Sequence, residues 1–167
     1  MTRISVNPQT MNQDTLEIIG RRHTVAQTIE TFHLARELNY NNINMDLIVG
    51  LPGEDISKVK YTLEKVKELS PDSLTVHSLA VKRAARLNMF KDKYQEMTFE
   101  NNQEIMDLTQ QTAYSMEMGP YYLYRQKNMK GNFENVGYAK VDKAGIYNIL
   151  IICLLYTSPS PRDGLLS

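Results

Sequence analysis

Four side chains could do chemistry in this chain, three of them near the ends of extended runs. They are Gln9 in RISVNPQT, Arg21 of the Arg21-Arg22 pair, Asp46 in NMDLIVGLPGE and His77 in DSLTVHSLAV. An amide and a carboxylate hydrogen-bond to hydroxyls and amines, and a guanidinium pairs a carboxylate bidentately. Asp46 is the sharpest of these. It stands among Met45, Leu47 and Ile48, and a lone carboxylate is costly to bury unless partners satisfy it. It is either a site residue or a satisfied structural group. Arg21-Arg22 reads more simply as a solvated helix end. His77 alternates with Thr75 and Leu79, so it could face a barrel interior. His23, His33 and His77 are too scattered for a recognisable metal motif, and His33, beside the core face of a helix, reads as structural. Gly50-Leu51-Pro52-Gly53 lacks both the Lys-Ser/Thr of a P-loop and GxGxxG spacing, which favours a plain strand-to-helix turn. No Ser-His-Asp order or nucleophile elbow stands out.

These residues need a frame, and the chain supplies a βα rhythm. Arg3 to Pro8 reads as a strand ended by proline, which removes a ladder donor. Gln9 to Arg22 is a turn and short helix. Thr24 opens a longer helix, with Gln27 completing a capping box and Val25, Ile29, Phe32 and Ala35 at helical spacing. Ile43 to Val49 is the next strand. Gly50 to Gly53 turns the chain into a helix marked by Ile56, Val59, Leu63, Val66 and Leu69. Ser73 to Val81 is the third strand. Three strands with two helical crossovers describe part of an α/β barrel or an open parallel sheet, and Gln9, Asp46 and His77 fall where such folds place ligands. Beyond Val81 the pattern changes. Lys82 to Met97 is basic and loop-like, Thr98 to Met118 is a third long helix, and Tyr121 to Gln126 and Tyr147 to Ile152 read as strands. Asn132 to Gly145 reads as a glycine-punctuated loop between those strands.

The whole chain sets bounds. Its 167 residues suit one domain with a sizeable core, and 42% hydrophobic content is ordinary for a soluble protein. Lysine plus arginine balance aspartate plus glutamate at 19 each, so bulk charge suggests no nucleic-acid or anionic-membrane partner. No apolar signal core opens the chain, and no run approaches the roughly 18 apolar residues of a membrane helix. The expectation is a cytoplasmic protein. A single cysteine, Cys153, excludes an intrachain disulfide or a cysteine-only metal site. Met1 precedes the first strand by two residues, so earlier βα units are expected to be missing. From Cys153 on, CLLYTSPSPRDGLLS has no periodicity and looks like translated adapter read-through; a natural disordered terminus is the alternative.

RISVNPQTMN, GRRHT, NINMDLIVGLPGE, PDSLTVHSLAVKRAARLN and YYLYRQKNMKGNFENVGYAK together resemble the radical SAM oxygen-independent coproporphyrinogen III oxidases or dehydrogenases, HemZ type. The likeness runs from about Arg3 to Ile151. DLIVGLPGE is shared with haem-chaperone relatives, whereas the YYLYRQKNM to NFENVGYA segment selects the HemZ branch.

The resemblance implies an α/β fold: the C-terminal half of a partial (β/α)6 radical SAM barrel over residues 1–81, an α+β extension over 82–152, and a non-native tail over 153–167. It implies S-adenosylmethionine, a [4Fe-4S] cluster and a tetrapyrrole substrate, with electron donor and acceptor unknown. In such enzymes a 5′-deoxyadenosyl radical takes hydrogen from a propionate, CO2 leaves and a vinyl group remains; two propionates are converted, giving protoporphyrinogen IX. Carried over by position, the S-adenosylmethionine contacts fall on Gln9, Arg21, Asp46 and, through its backbone, Ala80. One departure stands out: the cluster-binding CxxxCxxC motif is absent. The chain is therefore expected to be a fragment, inactive and poorly soluble alone; a well-folded monomeric preparation would count against that. A haem-binding chaperone and a non-catalytic interaction module are the competing readings.

Overall fold

A computed structural model describes residues 3–78, 103–124 and 135–145. Strand β1 (Arg3–Gln9) leads into the short helix α1 (Gln13–Ile18) and then α2 (Val25–Glu37). Strand β2 (Asn42–Val49), helix α3 (Ile56–Leu69) and strand β3 (Ser73–Ser78) complete the βα rhythm. Helix α4 (Gln103–Ser115) and strands β4 (Gly119–Tyr124) and β5 (Asn135–Ala139) follow.

Local chemistry explains the helix starts. Thr24 accepts from the Gln27 backbone while the Gln27 side chain accepts from the Thr24 backbone, closing the expected capping box on α2. Asp55 accepts from the Lys58 amide at 3.0 Å and starts α3. That helix stops at Ser70, whose φ of 53° is left-handed, just before Pro71.

The strands form one five-stranded sheet in the order β1-β2-β3-β5-β4. β1, β2 and β3 run parallel, as helical crossovers require, and β5 joins β3 antiparallel. The period of two along each strand sorts the faces. On one face Ile43, Met45, Leu47 and Val49 of β2 and Leu74 and Val76 of β3 are buried. They share a core with Phe32 and Ala35 of α2, Val59, Leu63 and Val66 of α3, and Ile105 and Ala113 of α4. Burying each large apolar side chain contributes about 1.5–3 kcal/mol. The other face is polar: Asn44, Asp46, Ser73 and Thr75 occupy neighbouring register positions.

Three expectations need correction. Pro8 does not end β1; the strand continues to Gln9 through a register shift between Val6 and Gln9, which accommodates the missing donor. The segment read as a glycine-punctuated loop contains β5, placed between β3 and β4. Gly137 there is no loop marker: an added Cβ would lie 3.0 Å from Tyr122 Cβ and 3.1 Å from the Tyr121 ring, so close packing explains it. The aromatic strand begins at Gly119, two residues earlier than expected. Residues 79–81, the 82–97 segment, 147–152 and the tail from 153 lie outside the described residues, so their readings stay expectations.

Candidate functional site

The carboxyl ends of β1 and β2 carry the residues singled out by type. Gln9 closes β1 with φ 65°, a left-handed backbone that costs a non-glycine residue energy and needs surrounding support. Its side-chain Oε1 is buried and has no hydrogen-bond partner among the described residues. Gln9 registers opposite Leu47, so it stands one rung from Asp46. Asp46 is half-buried, and its Oδ1 accepts from Asn44 Nδ2 at 2.7 Å.

Asn44 organises the polar face beneath Asp46. Its Nδ2 also donates to Ser5 Oγ at 3.2 Å, while its Oδ1 accepts from Ser73 Oγ at 3.0 Å and Thr75 Oγ1 at 3.1 Å. Both ends of the amide are thus occupied across three strands, which fixes its orientation. His77 is half-buried beyond Thr75, paired in register with Ile48.

The other expectations scatter. Arg21 is exposed after α1; its amide donates to Leu16 O at 2.9 Å, but its side chain has no hydrogen bond among the described residues. Gln9 and Asp46 lie on adjacent strands with no hydrogen bond between them among the described residues, and Arg21 is joined to neither. Ala80 lies outside the described residues. His23 Nε2 sits 3.4 Å from Pro8 O beneath the β1 end. His33 is exposed, with its ring edge-on to Phe32 at 6.1 Å. Gly50 and Gly53 have φ of 82° and 73°, and Glu54 N donates to Leu51 O at 3.2 Å, so GLPG is a tight strand-to-helix turn.

Sequence reasoning missed the residue that this turn delivers. Glu54 is 1% exposed. Its carboxylate accepts from Thr10 Oγ1 and, at 3.0 Å, from Asn12 Nδ2. Thr62 Oγ1 of α3 accepts from Met11 N at 3.1 Å and Asn12 Nδ2 at 3.1 Å, and lies 3.2 Å from Thr10 Oγ1. Burial pushes the Glu54 carboxyl above the usual glutamate range, against the pull of Thr10 and Asn12. Thr15 Oγ1 is buried without a partner at hydrogen-bonding geometry, yet stands near enough to favour the charged form. A signal existed: an acid directly after the Gly50-Leu51-Pro52-Gly53 turn and one residue before the Asp55 cap has little room to reach water.

A second concavity, about 630 Å³, lies among Met106, Gln110, Tyr121, Leu123 and Tyr138 between α4 and the β4–β5 hairpin. Burial raises the Tyr138 hydroxyl to about 12, so it remains a neutral phenol there. No helix of the described residues is long and apolar enough to cross a membrane.

Comparison with known proteins agrees with this architecture. The family profile described as "Radical SAM superfamily" matches residues 1–66. The chain is 49% identical over 152 residues to the oxygen-independent coproporphyrinogen-III oxidase-like protein HemZ of Bacillus subtilis (strain 168), covering 90% of this chain and 30% of that protein. It is 35% identical over 81 residues to the heme chaperone HemW of the same organism, covering 48% of this chain and 21% of the relative. Among solved structures, the coproporphyrinogen III oxidase HemN of Escherichia coli superposes with a TM-score of 0.59 at 22% identity, over 84% of this chain and 30% of that one. The chain thus spans less than a third of each of these three relatives. With parallel βα units and ligand-capable side chains on its strands, the chain shares the fold of HemN; its residues 1–66 match the radical SAM superfamily, and 90% of its length is similar to the oxygen-independent coproporphyrinogen-III oxidase-like protein HemZ.

Proposed function

We propose that this chain is a fragment of a radical SAM enzyme that decarboxylates coproporphyrinogen III to protoporphyrinogen IX in haem biosynthesis. In this reading residues 1–81 belong to the barrel, 82–152 form an extension and 153–167 are not native sequence. A cytoplasmic setting and a small tetrapyrrole substrate go with it. The identity to HemZ over most of the chain supports the reaction.

Radical SAM proteins in general use S-adenosylmethionine and a [4Fe-4S] cluster. The residues fit the two groups differently. The cluster finds no holder here: the one cysteine is Cys153, and among the described residues no three His, Cys, Asp or Glu side chains converge. Cluster ligands would come from sequence outside this chain. S-adenosylmethionine fits better, and one observation carries that reading: Gln9 Oε1, at the carboxyl end of β1, is buried without a hydrogen-bond partner among the described residues. Buried acceptors without donors are rare in folded proteins, and a ligand hydroxyl or amine would supply one. When bound and reductively cleaved, this cofactor supplies the radical that takes the substrate hydrogen. Gln9 and Asp46 would hold its hydroxyls and amine, Arg21 would swing to its carboxylate, and Ala80 would offer a backbone contact. Asn44 holds Asp46 Oδ1 and leaves the other carboxylate oxygen for the ligand.

The test is an anaerobic assay of the protein encoded by the complete reading frame, with S-adenosylmethionine, a strong reductant, an electron acceptor and coproporphyrinogen III. Protoporphyrinogen IX should form, and Asp46→Ala should lower turnover at least about tenfold. Tight haem binding with no vinyl product would instead favour the chaperone reading, for which the partial identity to HemW is the specific observation. This chain alone is expected to be inactive and poorly soluble, since β1 has a neighbour on one side only among the described residues.

A further inference from the structure

The tightest polar cluster outside the expected contacts ties the loop after β1 to the loop after β2. Its donors run in one direction. Met11 N–H donates to Thr62 Oγ1, which leaves the Thr62 hydroxyl to donate to Thr10 Oγ1, and the Thr10 hydroxyl donates to Glu54. Asn12 Nδ2 spreads over the same acceptors, reaching Thr10 Oγ1 at 3.0 Å, Glu54 Oε1 at 3.0 Å and Lys58 O at 3.1 Å. Asn12 N donates to Thr10 Oγ1 at 3.2 Å. Every residue from Thr10 to Asn12 is therefore anchored to the α3 unit, and Glu54 is the terminal acceptor.

We propose that Glu54 is a positioning residue that holds the Gln9–Asn12 segment in its observed conformation by accepting from Thr10 and Asn12. The consequence for S-adenosylmethionine rests on the reading above, in which Gln9 touches that ligand. Three observations converge. Gln9 keeps a left-handed backbone only if its neighbours enforce it, and the enforcement begins at the next residue, Thr10, 1% exposed. A buried carboxylate is costly, whereas an apolar side chain would fill the space without that cost. The apolar side chain, though, would leave the Thr10 hydroxyl and the Asn12 amide short of an acceptor, and the loop free to relax. Lys58 pairs with Asp14 at 2.5 Å and reaches Glu54 only through its field, so the hydrogen bonds that hold Glu54 come from neutral donors of β1's loop.

The experiment measures amide hydrogen exchange and calorimetric titration with S-adenosylhomocysteine on the protein encoded by the complete reading frame, on its Glu54→Gln variant and on its Glu54→Leu variant. Glutamine keeps the shape and an acceptor oxygen, so protection of the Met11 and Asn12 amides and the dissociation constant should stay within about threefold. Leucine should lower protection at those two amides, and weaken the ligand, by about tenfold or more while β2 and β3 stay protected. Should Glu54→Leu fail to fold, Asn12→Ala removes one donor without touching the carboxylate and should loosen the same amides. Unchanged protection at Met11 and Asn12 in the folded variant, or a loss spread evenly over the sheet, overturns the inference. Absence of ligand binding in the parent chain, with the local exchange pattern as described, overturns the S-adenosylmethionine reading and leaves the positioning role standing.

Discussion

Replacing Thr62 by valine isolates the hydrogen bonds between the two strand-end loops at nearly constant volume. Thr62 is 5% exposed, and its hydroxyl accepts from Met11 N and Asn12 Nδ2, each at 3.1 Å, while lying 3.2 Å from Thr10 Oγ1. Asn12 Nδ2 retains Thr10, Glu54 and Lys58 as acceptors, so its loss is small. Met11 N–H has no alternative among the described bonds and would be left buried, at about 1–3 kcal/mol. The Thr62–Thr10 bond adds about 1 kcal/mol. The expected destabilisation is thus about 2–4 kcal/mol, a large part of the roughly 5–15 kcal/mol of a typical domain. Thr62→Ser keeps the hydroxyl and removes one buried methyl, at about 1 kcal/mol. Urea denaturation of parent and both variants reads the difference. A valine variant as stable as the parent, or more stable than the serine variant, would refute the network as a structural tie.

Two further outcomes follow from the same geometry. Because burial raises Glu54 above its ordinary value of 4.5, the folded state holds that proton more tightly than the unfolded state does. Stability from this group is full below the unfolded value and falls as pH rises through the raised one, so the parent should lose ground to Glu54→Gln across that window; a flat or opposite trend in denaturation midpoints would contradict the burial. Gly137→Ala would force a methyl to 3.0 Å from Tyr122 Cβ and should cost about 1–3 kcal/mol, measurable as a lowered thermal midpoint.

Much of the frame was legible because its signals are local. The Thr24–Gln27 capping box, the α3 apolar positions and the GLPG turn each announce an element within a few residues. β5 was not legible: five residues, NVGYA, with a glycine in the middle, are too few for alternation to register. They become a strand because β3 and β4 pair with them on both sides. The site divided in the same way. Asp46 showed itself as a charge in an apolar strand, and Asn44 two residues earlier belongs to the same polar face. Glu54 did not, since its burial arises from contact with Thr10, 44 residues away. Arg21, singled out by its type and by its position in the resemblance, has an exposed side chain after α1.

The most direct measurement is an anaerobic equilibrium titration of the protein encoded by the complete reading frame with S-adenosylmethionine, repeated on Gln9→Ala and Asp46→Ala. The account predicts saturable one-to-one binding, weakened about tenfold by either substitution, as expected for losing a buried polar contact. Binding that neither substitution alters, or no saturable binding at all, would contradict the assignment of the β1–β2 strand ends as the cofactor site.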